Sequence, residues 1–208
     1  MALSRIIPTD GGQIGVWQLT ETSTDLLASF SPEEFDNSDF WKYSYEKRKV
    51  EWLATRLLLK EMIGPGFEIS YSETGKPILH HSSYKYLSIS HSREFVAAYI
   101  HEYCEVGIDL EGISRNYNAI EKRYLSEAEL KQTGRDPVLQ CLYWCAKEAI
   151  FKLVPFDGIE FREHIQILPF DPEKQTQFSG YFTFENQPAL FSLNFQIFEN
   201  HCMVWVSC

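Results

Sequence analysis

Apolar residues fall at helical spacing in two long stretches of this chain and run in short alternating or continuous blocks elsewhere. Between about residues 44 and 63, Val50, Leu53, Ala54, Leu57 and Leu58 recur on one face of a 3.6-residue period, which predicts a long helix that "IGPG" ends. Residues 137 to 153 predict a second long helix. Its buried stripe is Leu139, Leu142, Ala146, Ala149, Ile150 and Leu153, and its other side carries Cys141, Trp144, Glu148 and Lys152. Two capping-box signatures predict further helix starts, Ser31 with Glu34 and Ser126 with Glu129. Strand patterns cover "IGVWQL", "FEISYS", "YLSIS", "EFVAAYIH" and "EVGIDLE", with "ETGKP" as a turn. The last 45 residues, with "HIQILPF", "FSGYFTFE", "ALFSLNFQIF" and "CMVWVSC", predict an antiparallel meander.

The order strand, long helix, strands therefore occurs twice, once on each side of about residue 104. This predicts an α+β fold of two similar halves, residues 1–104 and 105–208, packed together about a pseudo-two-fold axis. The similarity is one of pattern, not of letters. A two-sided cleft inside one chain makes a monomer the economical expectation.

Composition narrows the function classes. At 208 residues, 44% apolar and 15% aromatic, the chain can build a sizeable core. No run of about 20 apolar residues is present, and "MALSRIIPTDGG" lacks the apolar centre of a signal peptide, so no membrane association and a cytoplasmic location are expected. The cysteines, five in number and without a C-x-x-C pair, read as buried thiols and not as a disulfide framework or zinc site. A net charge of -10 argues against nucleic acid as a partner, because binding a long polyanion needs a basic face. Six basic residues do cluster between Lys42 and Lys60, where Arg48, Trp52 and Arg56 form an i, i+4, i+8 row. That row reads either as a solvated face or as the wall of a phosphate site.

Candidate chemistry begins at "VGIDLE". In a strand, Val106, Ile108 and Leu110 point one way and Gly107, Asp109 and Glu111 the other, which brings two carboxylates within about 7 Å of each other. Such a pair repels unless a cation sits between its members. On the second long helix, Glu148 and Lys152 share a face with Trp144, and a tryptophan there suits a cleft wall better than a solvated surface. Three carboxylates without soft partners suit a hard ion such as Mg²⁺, which completes its shell with water and substrate phosphate. A nearby Lys152 would neutralise shifting phosphate charge. Lys76 on its turn and Ser90, His91 and Ser92 at a strand end add donors for an anion.

In order, "TGKP", "ISHS", "VGIDLE" and "WCAKEAIFK" resemble the motifs of the 4'-phosphopantetheinyl transferases, and the length and two-half layout resemble the larger type of that family. "YLSEAEL" stands where the family has an aromatic-rich F-x-x-x-E segment. The resemblance implies that coenzyme A and Mg²⁺ (or Mn²⁺) bind between the halves and that a serine of an apo acyl or peptidyl carrier protein attacks the β-phosphate, releasing 3',5'-ADP. It also implies that Asp109, Glu111 and Glu148 hold the metal, that Glu148 helps deprotonate the serine, and that Lys152 contacts the pyrophosphate. Arg48, Lys76, Ser90 and His91 would bind the coenzyme A nucleotide, His91 at the 3'-phosphate, while Trp144 shapes the cleft. Two rivals are weaker: a metal-dependent nuclease, whose E-x-K spacing is absent, and a coenzyme A-binding protein without transfer activity. Lys147, about a hundred degrees round the helix from Glu148, is expected to be a second phosphate contact or a solvated neighbour.

Overall fold

The computed structural model describes residues 3–31, 39–185 and 187–208. Strands β1 (Leu3–Thr9), β2 (Gly12–Gln18), β5 (Tyr86–His91) and β6 (Phe95–His101) form an antiparallel sheet in the order β1-β2-β6-β5, with the small hairpin β3 (Glu68–Tyr71) and β4 (Pro77–His80) alongside. Strands β7 (Val106–Gly112), β8 (Ile165–Ile167), β9 (Gln177–Phe184), β10 (Gln187–Phe198) and β11 (His201–Ser207) form a second sheet in the order β7-β11-β10-β9-β8. The predicted meander is present as β8 to β11, closed on β7. Strand β1 was not legible in the hydropathy pattern.

The helices are α1 (Ser23–Leu27), α2 (Glu46–Ile63), α3 (Glu121–Tyr124), α4 (Glu127–Thr133), α5 (Pro137–Leu153) and α6 (Phe161–His164). The two long helices stand where the spacing predicts them: α2 ends at Gly64 in a positive-φ conformation, and α5 ends before Pro155. The Ser126–Glu129 capping box opens α4 as expected. Glu34, half of the other expected box, lies outside the described residues, and the helix next to it, α1, is capped by Thr22 with Asp25.

Three clusters of buried side chains arrange these elements as four layers. Trp17, Val96, Ala98 and Ile100 of the first sheet pack on Leu53, Leu57 and Leu58 of α2. The other face of that sheet, with Ile14, Val16, Phe95, Ala97 and Tyr99, packs on Val106, Ile108, Leu110, Met203 and Trp205 of the second. The far face of the second sheet, with Val204 and Val206, packs on Leu142, Ala146, Ala149 and Ile150 of α5. Central strands are therefore apolar on both faces, which is why β6 is buried along its whole length and reads as a continuous block.

α2 lies close on β2, and α5 on β7, because a glycine admits each helix. A Cβ on Gly15 would come within 2.5 Å of Met62 Sδ, and one on Gly107 within 1.9 Å of the Ala149 carbonyl oxygen. The sheets meet where β5 runs beside β7. There the Ile108 N–H donates to Ser88 Oγ (3.1 Å) and the Leu110 N–H to Ser90 Oγ (3.1 Å), so serine hydroxyls satisfy the edge of the second sheet.

Candidate active site

β7 carries the first part of the site. Alternation sends Val106, Ile108 and Leu110 into the core between the sheets and turns Gly107, Asp109 and Glu111 toward α5. Asp109 is only 5% exposed, so this carboxylate face is not a solvated one. Its Oδ1 accepts from Ser90 Oγ (2.8 Å) and from Lys152 Nζ (2.7 Å), and Lys152 donates also to the Ile108 carbonyl (2.9 Å). Asp109 Oδ2 is buried and has no hydrogen-bond partner among the described residues. A buried carboxylate oxygen left bare costs free energy unless something else satisfies it.

Glu111 and Glu148 flank that oxygen electrostatically. Burial first, and then the Asp109 charge, push both carboxyls up to about 7; Arg115 opposes this mainly at Glu111 and Lys152 mainly at Glu148. Glu111 is ion-paired with Arg115, whose guanidinium lies 4.7 Å from the Trp144 ring centroid and 5.7 Å from that of Tyr117. The two glutamates resist ionising beside the Asp109 charge, and a cation would relieve them. Among the described residues, no group of three or more His, Cys, Asp or Glu side chains is placed to hold a metal ion. Mg²⁺ does not need such a group, since it binds through one or two carboxylates and keeps waters. The bare Asp109 Oδ2 beside two elevated glutamates is an oxygen donor set that fits it.

Lys152 joins this centre to one of two cavities, which share the wall made by Gly75, Pro77 and Ile89. That one, of about 520 Å³, lies between the β3–β4 hairpin, β5 and the end of α5 and is lined by Lys76, Ser88, Glu105, Phe151, Lys152 and Phe156, among others. The second, of about 310 Å³, is lined by Arg48, Glu51, Trp52, Thr55, Arg56 and His91, among others. The Arg48, Trp52 and Arg56 row thus borders a cavity, with the Arg56 guanidinium 3.4 Å from the Trp52 ring centroid. His91 is exposed to solvent at this cavity, and Thr55 Oγ1 lies 3.4 Å from its Nε2. Burial is the largest influence lowering its pKa, Lys152, Arg48 and Lys47 add to it, and Glu51 opposes it. An anion held there would reverse that shift.

The expected site residues are therefore divided. Arg48 and His91 share one cavity and Lys76 and Lys152 the other. Ser90 is buried, with its hydroxyl engaged by Asp109 and the Leu110 N–H, so its observed contacts serve the carboxylate centre. Lys76 is paired with Glu105 at 2.7 Å. Trp144 packs edge-on to Tyr124 at 5.2 Å and beneath Arg115.

Three readings of the long helix are corrected. Cys141 is fully buried and Leu139 only half-buried, because α5 is covered on nearly all sides by the sheet, α3 and α6. Lys147 is neither a phosphate contact nor a solvated neighbour. It is fully buried and donates to Glu129 Oε2 (2.8 Å) and to the carbonyls of Phe161 (3.0 Å) and Ile165 (2.6 Å). Sequence reasoning also missed Glu51, which is 4% exposed and paired with Arg48 at 2.9 Å. Its position three residues after Arg48 was the available signal. Arg115, four residues beyond Glu111 and paired with it, was missed in the same way.

The layered fold with a carboxylate centre and a lysine at the junction of two sheets defines a protein equipped for a hard cation and phosphate oxygens. Residues 105–205 match the family model of the 4'-phosphopantetheinyl transferase superfamily. It is 31% identical over 112 residues to 4'-phosphopantetheinyl transferase AcpT of Salmonella typhi, a match covering 50% of this chain and 58% of that protein. It is 33% identical over 112 residues to the AcpT of Escherichia coli K12, covering 50% of this chain and 57% of the relative. The match thus spans less than two thirds of these relatives' length.

Proposed function

We propose that this protein is a 4'-phosphopantetheinyl transferase that moves the phosphopantetheine arm of coenzyme A to a serine of an apo acyl or peptidyl carrier protein, releasing 3',5'-ADP. The observation that carries this reading is the Asp109–Lys152 contact at 2.7 Å beside a bare Asp109 Oδ2 and two glutamates raised to about 7, at the edge of a cavity that Lys152 lines. The shared strand order, β2-β6-β5 and β7-β11-β10, each with a helix seated on a glycine of its first strand, supports reading residues 1–104 and 105–208 as halves related by a pseudo-two-fold axis.

Asp109, Glu111 and Glu148 would hold Mg²⁺ between them, and the ion would supply charge neutralisation at the pyrophosphate. Lys152, already tied to Asp109, adds a second positive charge on the cavity side and contacts the phosphate oxygens. Glu148 helps to deprotonate the serine, as an ionised carboxylate can. Arg48 and His91 hold the nucleotide's 3'-phosphate in the smaller cavity, with Lys76 on the partition between the two. Ser90 orients Asp109. The acidic carrier docks against a neutral or basic patch on this chain, and the working form is a cytoplasmic monomer.

The test is to mix the protein with apo carrier protein, coenzyme A and Mg²⁺ and to follow by mass the addition of the phosphopantetheine arm. Transfer supports the reading. Tight coenzyme A binding with no transfer to several carriers would favour a binding-only protein.

A further inference from the structure

Among the described residues, Lys147 is a charged side chain with no exposed surface, and nothing in the chemistry above uses it. Its ammonium makes three hydrogen bonds, to Glu129 at the start of α4, to the Phe161 carbonyl at the start of α6 and to the Ile165 carbonyl at the start of β8. Glu129 is equally engaged: Oε2 accepts from the Ser126 N–H (2.8 Å) and Oε1 from the Ile167 N–H (2.8 Å). One buried ion pair thus ties α5 to three other segments, with every hydrogen of the ammonium placed. Burial lowers the Lys147 pKa, and Glu129 opposes the shift.

We infer that Lys147 is a positioning residue that sets the rotation of α5 and thereby the placement of Glu148 and Lys152 at the carboxylate centre. Glu148 follows Lys147 directly and lies about 100° round the helix, so turning α5 about its axis moves both together. The opposite side of α5 rests on Gly107, where the Ala149 carbonyl leaves no room for a Cβ. Clamped between Gly107 and the Glu129 knot, the helix delivers Lys152 Nζ to within 2.7 Å of Asp109 Oδ1. Release of the knot frees the rotation while the apolar face of α5 still holds it to the sheet. Its expression as turnover rests on the transferase reading, so the test separates the two.

The test uses the double variant Lys147→Met/Glu129→Gln, in which a neutral amide replaces the carboxylate and no charge is left buried alone. Glu129→Gln by itself carries the same readout should the double variant not fold. The expected result is a folded protein whose kcat for transfer falls about ten-fold or more while KM for coenzyme A stays within about two-fold, since the smaller cavity proposed for the nucleotide has no lining residue on α5. A folded variant with wild-type kcat overturns the inference. If the wild-type protein transfers nothing, the transferase reading fails, and the crystal structure of the variant then decides the positioning role. Loss of the Lys152–Asp109 contact supports the role, and its retention at the wild-type distance overturns it.

Discussion

The two charged sides of α5 differ in one respect that separates structure from chemistry. On the side of Lys147, every polar atom is matched: a lysine with three acceptors meets a glutamate with three donors, and both are sealed from water. On the side of Glu148 and Lys152 the matching is incomplete, with a bare Asp109 Oδ2 and two carboxyls that burial and mutual repulsion hold near 7. A satisfied buried pair is a fastening. An unsatisfied acidic cluster at a cavity is a place where a ligand belongs.

Breaking the fastening should produce the largest effect on stability. Lys147→Ala strands Glu129 as a buried unpaired charge, so a loss of about 3–5 kcal/mol is expected in denaturant titration. A loss under 1 kcal/mol would show that the knot is not the fastening described. On the open side the same logic predicts the reverse. Asp109→Asn should abolish transfer, on the order of 10³-fold or about 4 kcal/mol in the barrier, yet leave stability unchanged or improved, because it removes a repelling charge. A full-rate Asp109→Asn protein would remove Asp109 from the site.

Gly107→Ala tests the contact between the two sides by pushing β7 from α5. A methyl placed 1.9 Å from the Ala149 carbonyl cannot be absorbed without backbone movement, and about 1–3 kcal/mol should be lost. Turnover is expected to fall with it, since Asp109 and Lys152 sit on the separated elements.

The pH dependence sharpens the contrast further. Glu111 and Glu148 have folded pKa values near 7, above the ordinary 4.5, so the folded state binds more protons between those limits and stability falls as pH rises through that window. Mg²⁺ favours the ionised carboxylates and should reverse the trend: the melting temperature is expected to rise by a few degrees on adding Mg²⁺ at pH 8 and by less at pH 5.5. An equal rise at both pH values, or one retained in Glu148→Gln, would contradict the assignment. His91 works in the opposite direction, because its lowered pKa removes stability as pH falls below its unfolded value. The smallest effect is expected at His91→Ala, which should weaken coenzyme A about ten-fold through its 3'-phosphate. Its affinity for the 3'-dephospho form should be unchanged, as isothermal titration would read.

Much of this was written locally in the chain. The two long helices, the Ser126 cap, the turn at 73 to 77 and the C-terminal meander follow from periods of 3.6 and 2 and from turn residues, all of which act over a few positions. The carboxylates of "VGIDLE" and the Glu148–Lys152 row were legible for the same reason. Alternation and helical spacing fix which side chains share a face whatever the surroundings are. What covers each face is set by segments far away in sequence, and no local pattern contains it. Only the folded chain put sheet against sheet, so that both faces of β7 are buried and its acids lose water. Only it brought Ser90 of β5 to Asp109 of β7. And only it gave Lys147 a glutamate eighteen positions away, because an ammonium becomes a structural group when tertiary contacts remove its water and supply every acceptor.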